Sequence, residues 1–538
     1  MNRWKFAALS VSLGIVLVLA AVGLASAGSG EAGPVTGGPG IEVGKESHHD
    51  LSLPLRDMKP LPVLPSADRH EANENPLIMD VSALEQHVDP VAQTEMAPLA
   101  MPAPSLTFDG IAFPGVVCNC APPDPNGDVG PNHYVQTVNT AFQIWSKNGV
   151  SVYGPAAIST LWQGFGGQCE TRNDGDPIVL YDPLADRWLI SQFTAISPYH
   201  ECIAVSQTAD PTGAWYRYAF QLSTSAFPDY PKFGVWPDGY YMSVNWFNNG
   251  LTYGGPRPYV FDRVAMLNGQ TATFQTTAAA LGSGVRPFLP ADLDGSTPPP
   301  AGAPNTFVGT PAPAGALPLY RFHVDWGTPA NSTFTGPVNL AGAAYNALCP
   351  LTRNCVPQNG TNSKLDAIGD RMMYRAAYRN FGEHESLVTN MTVKYGGVAA
   401  VRWYELRGLN TVPGIYQQGT YRPNAAWRWM GSAAMDGNGN IAVGFSVSST
   451  ALKPQIRYAG RLAGDPLNTL ARGEALLHAG TGSQVGTGSR WGDYSMLAVD
   501  PSDNCTFWYT NEYYSATGQF NWRTRVGTFK YPGCVPTQ

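Results

Sequence analysis

An all-β fold, assembled from one four-stranded unit used many times, is what three features of this 538-residue chain predict. The composition is rich in turn formers and poor in helix formers: 58 Gly, 46 Pro, 11% aromatic and only 14% charged residues suit pleated strands. A strand, tight turn, strand pattern is spelled in "GDPIVLYDPLADRWLISQF" and spelled again near the C-terminus in "RWGDYSMLAVDPSDNCTFWYTNEY". Related segments return at intervals of about 45 to 60 residues, the spacing of a repeat architecture.

From the N-terminus, the first element is an export signal. "MNRWKFAALSVSLGIVLVLAAVGLASAG" has a basic start, an apolar run from Phe6 to Leu24, and Ala25-Ser26-Ala27 ahead of Gly28. That order predicts a signal peptide over 1–27, and hence a secreted chain without a membrane span after cleavage. Eight cysteines follow it: Cys118, Cys120, Cys169, Cys202, Cys349, Cys355, Cys505 and Cys534. An even number in an exported chain predicts disulfides, with Cys349 and Cys355 the easiest pair by proximity. The net charge of −7 argues against nucleic acid, which calls for concentrated basic charge.

Residues 28–104 carry Gly, Pro, His and scattered charge without periodicity, as in "GSGEAGPVTGGPG". Such composition cannot bury enough apolar surface to offset chain entropy, so a disordered linker or propeptide is expected. His48, His49 and His70 fall in this tract and read as solvated polar residues.

The repeats occupy 105–538. Second strands of the suspected hairpins, "HYVQTVNTAF", "RWLISQFTAI", "YYMSVNWFNN", "NIAVGFSVSS" and "TFWYTNEYYS", begin aromatic or aliphatic, alternate, and end in Asn, Gln, Ser or Thr. The turns before them, such as "WPDGYY" and "MDGNGNI", use residues that pre-set φ, accept positive φ or bond their own backbone. "ECIAVSQT" and "WYRYAFQL" supply third and fourth strands. Four antiparallel strands per unit predict a β-propeller. Units start near Asp124, Gly175, Asp229, Asp292, Gly369, Trp429 and Gly492, which makes seven blades, with six the alternative because the first and fourth are irregular. One blade cannot cover both its faces, and closing a ring lets each blade mask the next.

Signatures of P-loop nucleotide hydrolysis, zincin proteolysis, dinucleotide binding and the α/β-hydrolase elbow are absent. The loops leading into the inner strands gather Asp128, Asp176, Asp229, Lys232, Asp292, Asp370, Arg371, Arg428, Arg490 and Asp493 at one end of the channel. Asp493 and Asp370 are candidate acid–base groups there. Arg371, Arg428 and Arg490 are candidates to grip an anion through paired donors, and Lys232 and Asp176 to line the site. Trp427 and Trp491 stand near these loops and offer flat faces for sugar rings. "DPNGDVG" sets Asp124, Asn126 and Asp128 at alternate positions, a turn or the first half of a calcium loop. Glu383, His384 and Glu385 fall in a surface turn at the opposite end.

With "PPDPNGDVGPNHYVQTVN", "NDGDPIVLYDPLADRWLISQF", "DYPKFGVWPDGYYMSVN" and "SRWGDYSMLAVDPSDNCTFWYTNEY" in view, the region from about 105 to 534 resembles a group of secreted bacterial β-propeller proteins, mostly of unassigned activity. In architecture it is also similar to the sialidase-like propellers, whose turns read S-x-D-x-G-x-T-W. "PSDNCTFW" keeps Asp503 and Trp508 at that spacing and puts Cys505 in place of the glycine. That resemblance implies an arginine triad, a tyrosine nucleophile and an aspartic acid, for which Arg371, Arg428, Arg490, Tyr494 and Asp493 are counterparts by residue type.

Two functions follow as expectations: a monomeric, non-catalytic binding or adhesion module of the cell envelope or extracellular space, or a glycoside hydrolase or polysaccharide lyase acting on an acidic glycan. Either takes an extracellular glycan or envelope polymer as partner, and calcium is the one cofactor with a sequence candidate.

Overall fold

The computed structural model describes residues 40–62, 70–71, 85–113, 120–486 and 489–536. The expected signal peptide at 1–27, Cys118, the side chain of His70 and much of the expected linker lie outside these residues.

The first four-stranded antiparallel unit comprises Asn126–Val129, His133–Val138, Ala141–Ser146 and Ser151–Ala157. The second comprises Ile178–Asp182, Arg187–Phe193, Tyr199–Ser206 and Trp215–Ser223. Ala226–Trp236, Gly239–Asn248, Thr252–Phe261 and Thr273–Thr277 make the third. Phe288–Leu293, Asn305–Gly309, Ala316–His323 and Thr333–Ala341 make the fourth. The fifth runs through Met372–Asn380, Glu385–Tyr395, Val398–Arg407 and Gly414–Tyr421, and the sixth through Trp427–Met435, Ile441–Ser449, Leu452–Arg461 and Glu474–Ala479. Met496–Val499, Thr506–Tyr514 and Trp522–Lys530 begin the last. Its fourth strand comes from the other end of the chain, Leu106–Ala112, antiparallel to Trp522–Lys530 with Phe108 opposite Val526.

Within each unit the strands follow chain order, apart from that borrowed strand, so the lead strand forms one edge. The lead strands touch one another in sequence, from Asn126–Val129 through to Met496–Val499, and the last touches the first. A cycle of touching edges is a closed ring, the β-propeller arrangement. Between the fourth and fifth units the lead strands pair directly and in parallel, Asp292 opposite Ala377.

Each unit buries both faces against its neighbours. Trp188, Trp236, Trp403, Trp429, Trp491 and Trp522 are among the largest fully buried side chains, and each flat ring covers much apolar area at a unit boundary. Two of their N–H groups find carbonyl acceptors: Trp236 Nε1 donates across the boundary to Ala303 O at 2.9 Å, and Trp188 Nε1 donates within its own unit to Ala209 O at 3.1 Å. Among the described residues three disulfides staple the connecting segments: Cys169–Cys202, Cys349–Cys355 and Cys505–Cys534. The Cys349–Cys355 pair is the one expected from proximity.

The expectation of a structureless 28–104 is corrected for its described residues. Ile41–Lys45 pairs antiparallel with Thr273–Thr277 as a fifth strand on the third unit. His48–Leu51 does the same on the second, with Tyr218 opposite His49. Ala92–Gln93 pairs in parallel with Thr420 and Tyr421 on the fifth. This belt of added strands also places carboxylates on blade arginines, Glu42 on Arg257, Asp50 on Arg217 and Asp89 on Arg402, at 2.6 to 2.8 Å. A tract without a core of its own gains order by completing the hydrogen bonds of sheet edges that would otherwise stand open. Among the described residues no helix is long and apolar enough to cross a membrane.

Candidate functional site

The lead-in loops converge on one end of the ring, and their backbone there is unusual. Asp124, Asp176, Tyr230, Ile368 and Met430 all have φ between +45° and +59°, a region that costs a non-glycine residue of order 1 kcal/mol or more. Five units share this bend, three of them in the lead-in loop and two, at Tyr230 and Met430, at a break in register within the lead strand. Glycine is required beside two of them: Gly175 has φ +126°, and a Cβ on Gly431 would come within 2.4 Å of Asn390 Oδ1.

Asp124, Asp176, Lys232, Asp370, Arg371, Arg490, Asp493 and Tyr494 meet at this mouth. Neutral bonds tie neighbouring loops: Asp493 N–H donates to Asp124 Oδ1 at 2.7 Å, Asn139 Nδ2 to Asp124 Oδ2 at 2.8 Å, Asp176 N–H to Asn139 Oδ1 at 2.8 Å, and the Tyr494 hydroxyl to Pro177 O at 3.3 Å. The ion pairs are local. Arg490 holds Asp493, three residues on. Arg371 holds its neighbour Asp370 through Nε at 2.9 Å and Nη2 at 3.3 Å. Arg353 holds Asp366 at 2.8 Å and reaches Asp370 at 3.9 Å. Lys232 is fully buried, its ammonium 3.6 Å from the Tyr230 ring centroid and 4.0 Å from that of Tyr494, close enough for cation–π attraction.

Burial and charge divide the carboxyl groups of this mouth. Burial raises Asp493, but Arg490 and Arg371 outweigh it and hold the group below its usual range. Asp370 is likewise opposed by burial and held well below that range by Arg371 and Arg353. Asp176, by contrast, is pushed up to about 6, by burial first and by Asp493, against the pull of Lys232. Asp124 rises well above its ordinary value through burial, Asp493 and Asp176. Burial draws Lys232 down to about 8 and drives the Tyr494 phenol well up.

Several sequence-predicted site residues lie elsewhere. Arg428 is buried against Glu474 of its own unit, with Asn424 Oδ1 and Ala426 O completing its bonds; its side chain leaves the lead strand on the side away from the mouth. Trp491 packs in the core against Trp429 and Tyr514, and Trp427 is half-buried. Trp491 therefore offers no open face to a sugar. Asn126 and Asp128 belong to a lead strand, not a turn. Asn126 Oδ1 accepts Val179 N–H at 2.6 Å and Asp128 Oδ2 accepts Tyr181 N–H at 2.8 Å. With Asp124 turned to Asp493, the three candidate calcium ligands are each spent on a neighbouring unit. Among the described residues no group of three or more His, Cys, Asp or Glu side chains is placed to hold a metal.

Asp128 and Asp292 sit deeper along the lead strands. There Arg375 Nη1 binds Asp292 at 2.5 Å and Nη2 binds Asp294 at 2.5 Å. Burial pushes Asp128 up to about 7 and Asp292 to about 6, in each case against the pull of Arg375. The turn at 383–385 is at the far end, as expected, although Glu385 is buried and accepts from Tyr378 and Asn410.

Sequence reasoning missed Arg353 and Asp366, which stand in an insertion without repeat register, and two buried carboxyls beneath the mouth. Glu201 and Glu512 lie mid-strand, fully buried, with no hydrogen-bond partner at any of their four oxygens. Burial raises Glu201 to about 8, with the adjacent Ser191 hydroxyl, which makes no well-formed hydrogen bond to it, and Lys232 opposing that rise and Asp176 adding to it. Burial also raises Glu512 well above its ordinary value, with Asp124 and Asp493 adding to it. A charged residue at an inward position of an alternating strand was the available signal.

No family model matches the chain, and no curated protein does. Solved structures resemble it distantly. The endo-arabinase from Bacteroides thetaiotaomicron VPI-5482 is 13% identical, over 52% of this chain and 92% of that one, with a TM-score of 0.27. A polysaccharide lyase, an ulvanlyase, is 11% identical over 84% of this chain and 100% of its own, at 0.35. The extracellular domains 1-2 of Drosophila Semaphorin 1b are 6% identical over 81% and 88%, also at 0.35. Likeness at this level spans very different proteins and points to no activity.

Proposed function

We propose that this chain is an exported, monomeric β-propeller of seven blades, one for each unit above, and a non-catalytic binding module of the extracellular space or cell envelope. Its ligand is a glycan or envelope polymer taken at the lead-in mouth. The observation that carries this reading is the local pairing of the mouth's arginines. Arg371, Arg490 and Arg353 each hold a carboxylate of their own loop, so the mouth presents neutralised pairs instead of a bare cationic grip. Partly exposed Asp370, Asp176 and Asp229 stand among them as acceptors. Mixed donors and acceptors at fixed positions suit a hydroxyl-rich ligand. The test is a glycan array with the mature protein, followed by calorimetry on the retained glycan. Asp176→Asn and Asp370→Asn are expected to weaken binding about tenfold or more, the worth of about one charge-assisted hydrogen bond. Retention unchanged in both variants would move the ligand away from this mouth.

A second reading has its own support. Carboxyls of one mouth whose environments drive their proton affinities apart are the arrangement that acid–base catalysis uses. In that reading the protein is a hydrolase or lyase of an acidic glycan, Asp176 holds the proton and Asp493 stays ionised. Tyr494 is fully buried, with its phenol pushed up by burial first and by Asp176 and Asp124, so this reading gives the proton transfer to the carboxyls. Incubation of the retained glycan with the protein separates the readings: new reducing or unsaturated ends, lost in Asp176→Asn, favour the enzyme, and intact glycan favours the binding module.

A further inference from the structure

At the end of the ring opposite the mouth lies a cleft of about 190 Å³, lined by residues that include Asp294, Gly295, Thr297, Arg379, Phe381 and Asn504. They come from the turns that leave the lead strands of four units. Arg379 is 6% exposed. Its Nε donates to Met435 O at 3.1 Å and its Nη1 to Asn504 Oδ1 at 3.0 Å, and Nη2 has no partner. Among the described residues no carboxylate forms an ion pair with this guanidinium. The nearest acid, Asp294, already has both oxygens on Arg375 at 2.5 Å. A buried charge bonded only to neutral acceptors is costly, and an anion is what relieves it. Burial weakens the hold of Arg379 on its proton, and Arg375 adds to that, against the pull of Asp294 and Asp436, neither of which bonds the guanidinium.

The space beside the guanidinium is kept open by a glycine. A Cβ on Gly295, whose φ is +78°, would lie 2.5 Å from Arg379 Nη1. The half-buried Phe381 ring, stacked on His384 at 4.9 Å, forms a flat wall, and exposed Thr297 forms the rim.

We propose that this cleft is a second binding site, independent of the mouth, for a small carboxylate or similar oxyanion whose oxygens meet the Arg379 guanidinium while its body rests against Phe381. The guanidinium charge attracts a carboxylate or similar oxyanion, and the aromatic wall favours a ring-bearing acid over a bare inorganic ion.

The experiment is calorimetric titration of the mature protein with D-glucuronate, with sulfate and with glucose as the uncharged control. Glucuronate is expected to bind with a Kd of about 1 mM or tighter, sulfate to compete with it, and glucose to give no heat. Arg379→Gln should weaken glucuronate at least tenfold. Thr297→Trp, which fills the cleft from its exposed rim without touching the core, should do the same and covers the case in which Arg379→Gln fails to fold. Asp176→Asn at the mouth should leave this binding unchanged. The proposal is overturned if glucuronate does not bind, if glucose binds as well, or if Thr297→Trp binds glucuronate like the wild type.

Discussion

Replacing Glu201 by Gln should stabilise the protein, and increasingly so as the pH rises. The wild-type carboxyl is fully buried with neither oxygen hydrogen-bonded, and burial lifts its proton affinity from the ordinary 4.5 to about 8. A group whose folded pKa exceeds its unfolded one adds most stability below the unfolded value and loses it as pH climbs towards the folded value. The window here is pH 4.5 to about 8. At about 1.4 kcal/mol per pH unit, the protonation cost at pH 7.5 comes to about 4 kcal/mol as an upper figure. Gln keeps the shape and neutrality of the protonated form and titrates nowhere, so the variant should escape that cost. Urea unfolding midpoints at pH 5, 6, 7 and 8 measure it. The gap between variant and wild type should be small at pH 5 and widen at each step. A constant gap, or a variant less stable at pH 8, would refute a neutral buried Glu201.

Arg263→Met should cost about 3 to 5 kcal/mol, since it strands Asp182, a fully buried carboxylate that Arg263 grips at 2.6 and 3.0 Å across the boundary of the second and third units; a companion Asp182→Asn in the Met background should recover part of that loss in the same unfolding assay. Opening the Cys169–Cys202 bridge by a double Ala substitution should lower stability by about 3 to 4 kcal/mol, the chain-entropy figure for a loop of its 33-residue span, whereas the six-residue Cys349–Cys355 loop should matter less. Deleting residues 40–62 bares the strands Trp215–Ser223 and Thr273–Thr277, and light scattering should then report concentration-dependent association through the exposed edges.

The units were legible because their signals are local. Turn residues and period-two alternation specify a hairpin within twenty residues or so, and "YDPLADRW" and "VDPSDNCTFW" fold as the turns they spell. The belt was not legible because its order depends on edges far away in the chain: His48–Leu51 has no pattern of its own and takes its register from Tyr216 to Ala219. At the mouth, composition found the right loops, but the point where each lead strand begins decided which side chains arrive. Arg490 lies in the loop ahead of Met496–Val499, whereas Arg428 is already inside Trp427–Met435 and is held by Glu474 of its own unit. Asp124, assigned to a turn, reaches the mouth, and Asp128, assigned to the mouth, lies one pleat deeper. Arg353 entered unannounced because insertions carry no repeat phase from which to count.

The last sheet joins Leu106–Ala112 to strands that end at Lys530, so the first repeat-region strand to be made waits for the last. The circle cannot be locked until residues 522–530 have been made, and a product that stops short of residue 522 keeps a gap where two flanks stay wet. A single cut near either partner of that pairing would undo the clasp.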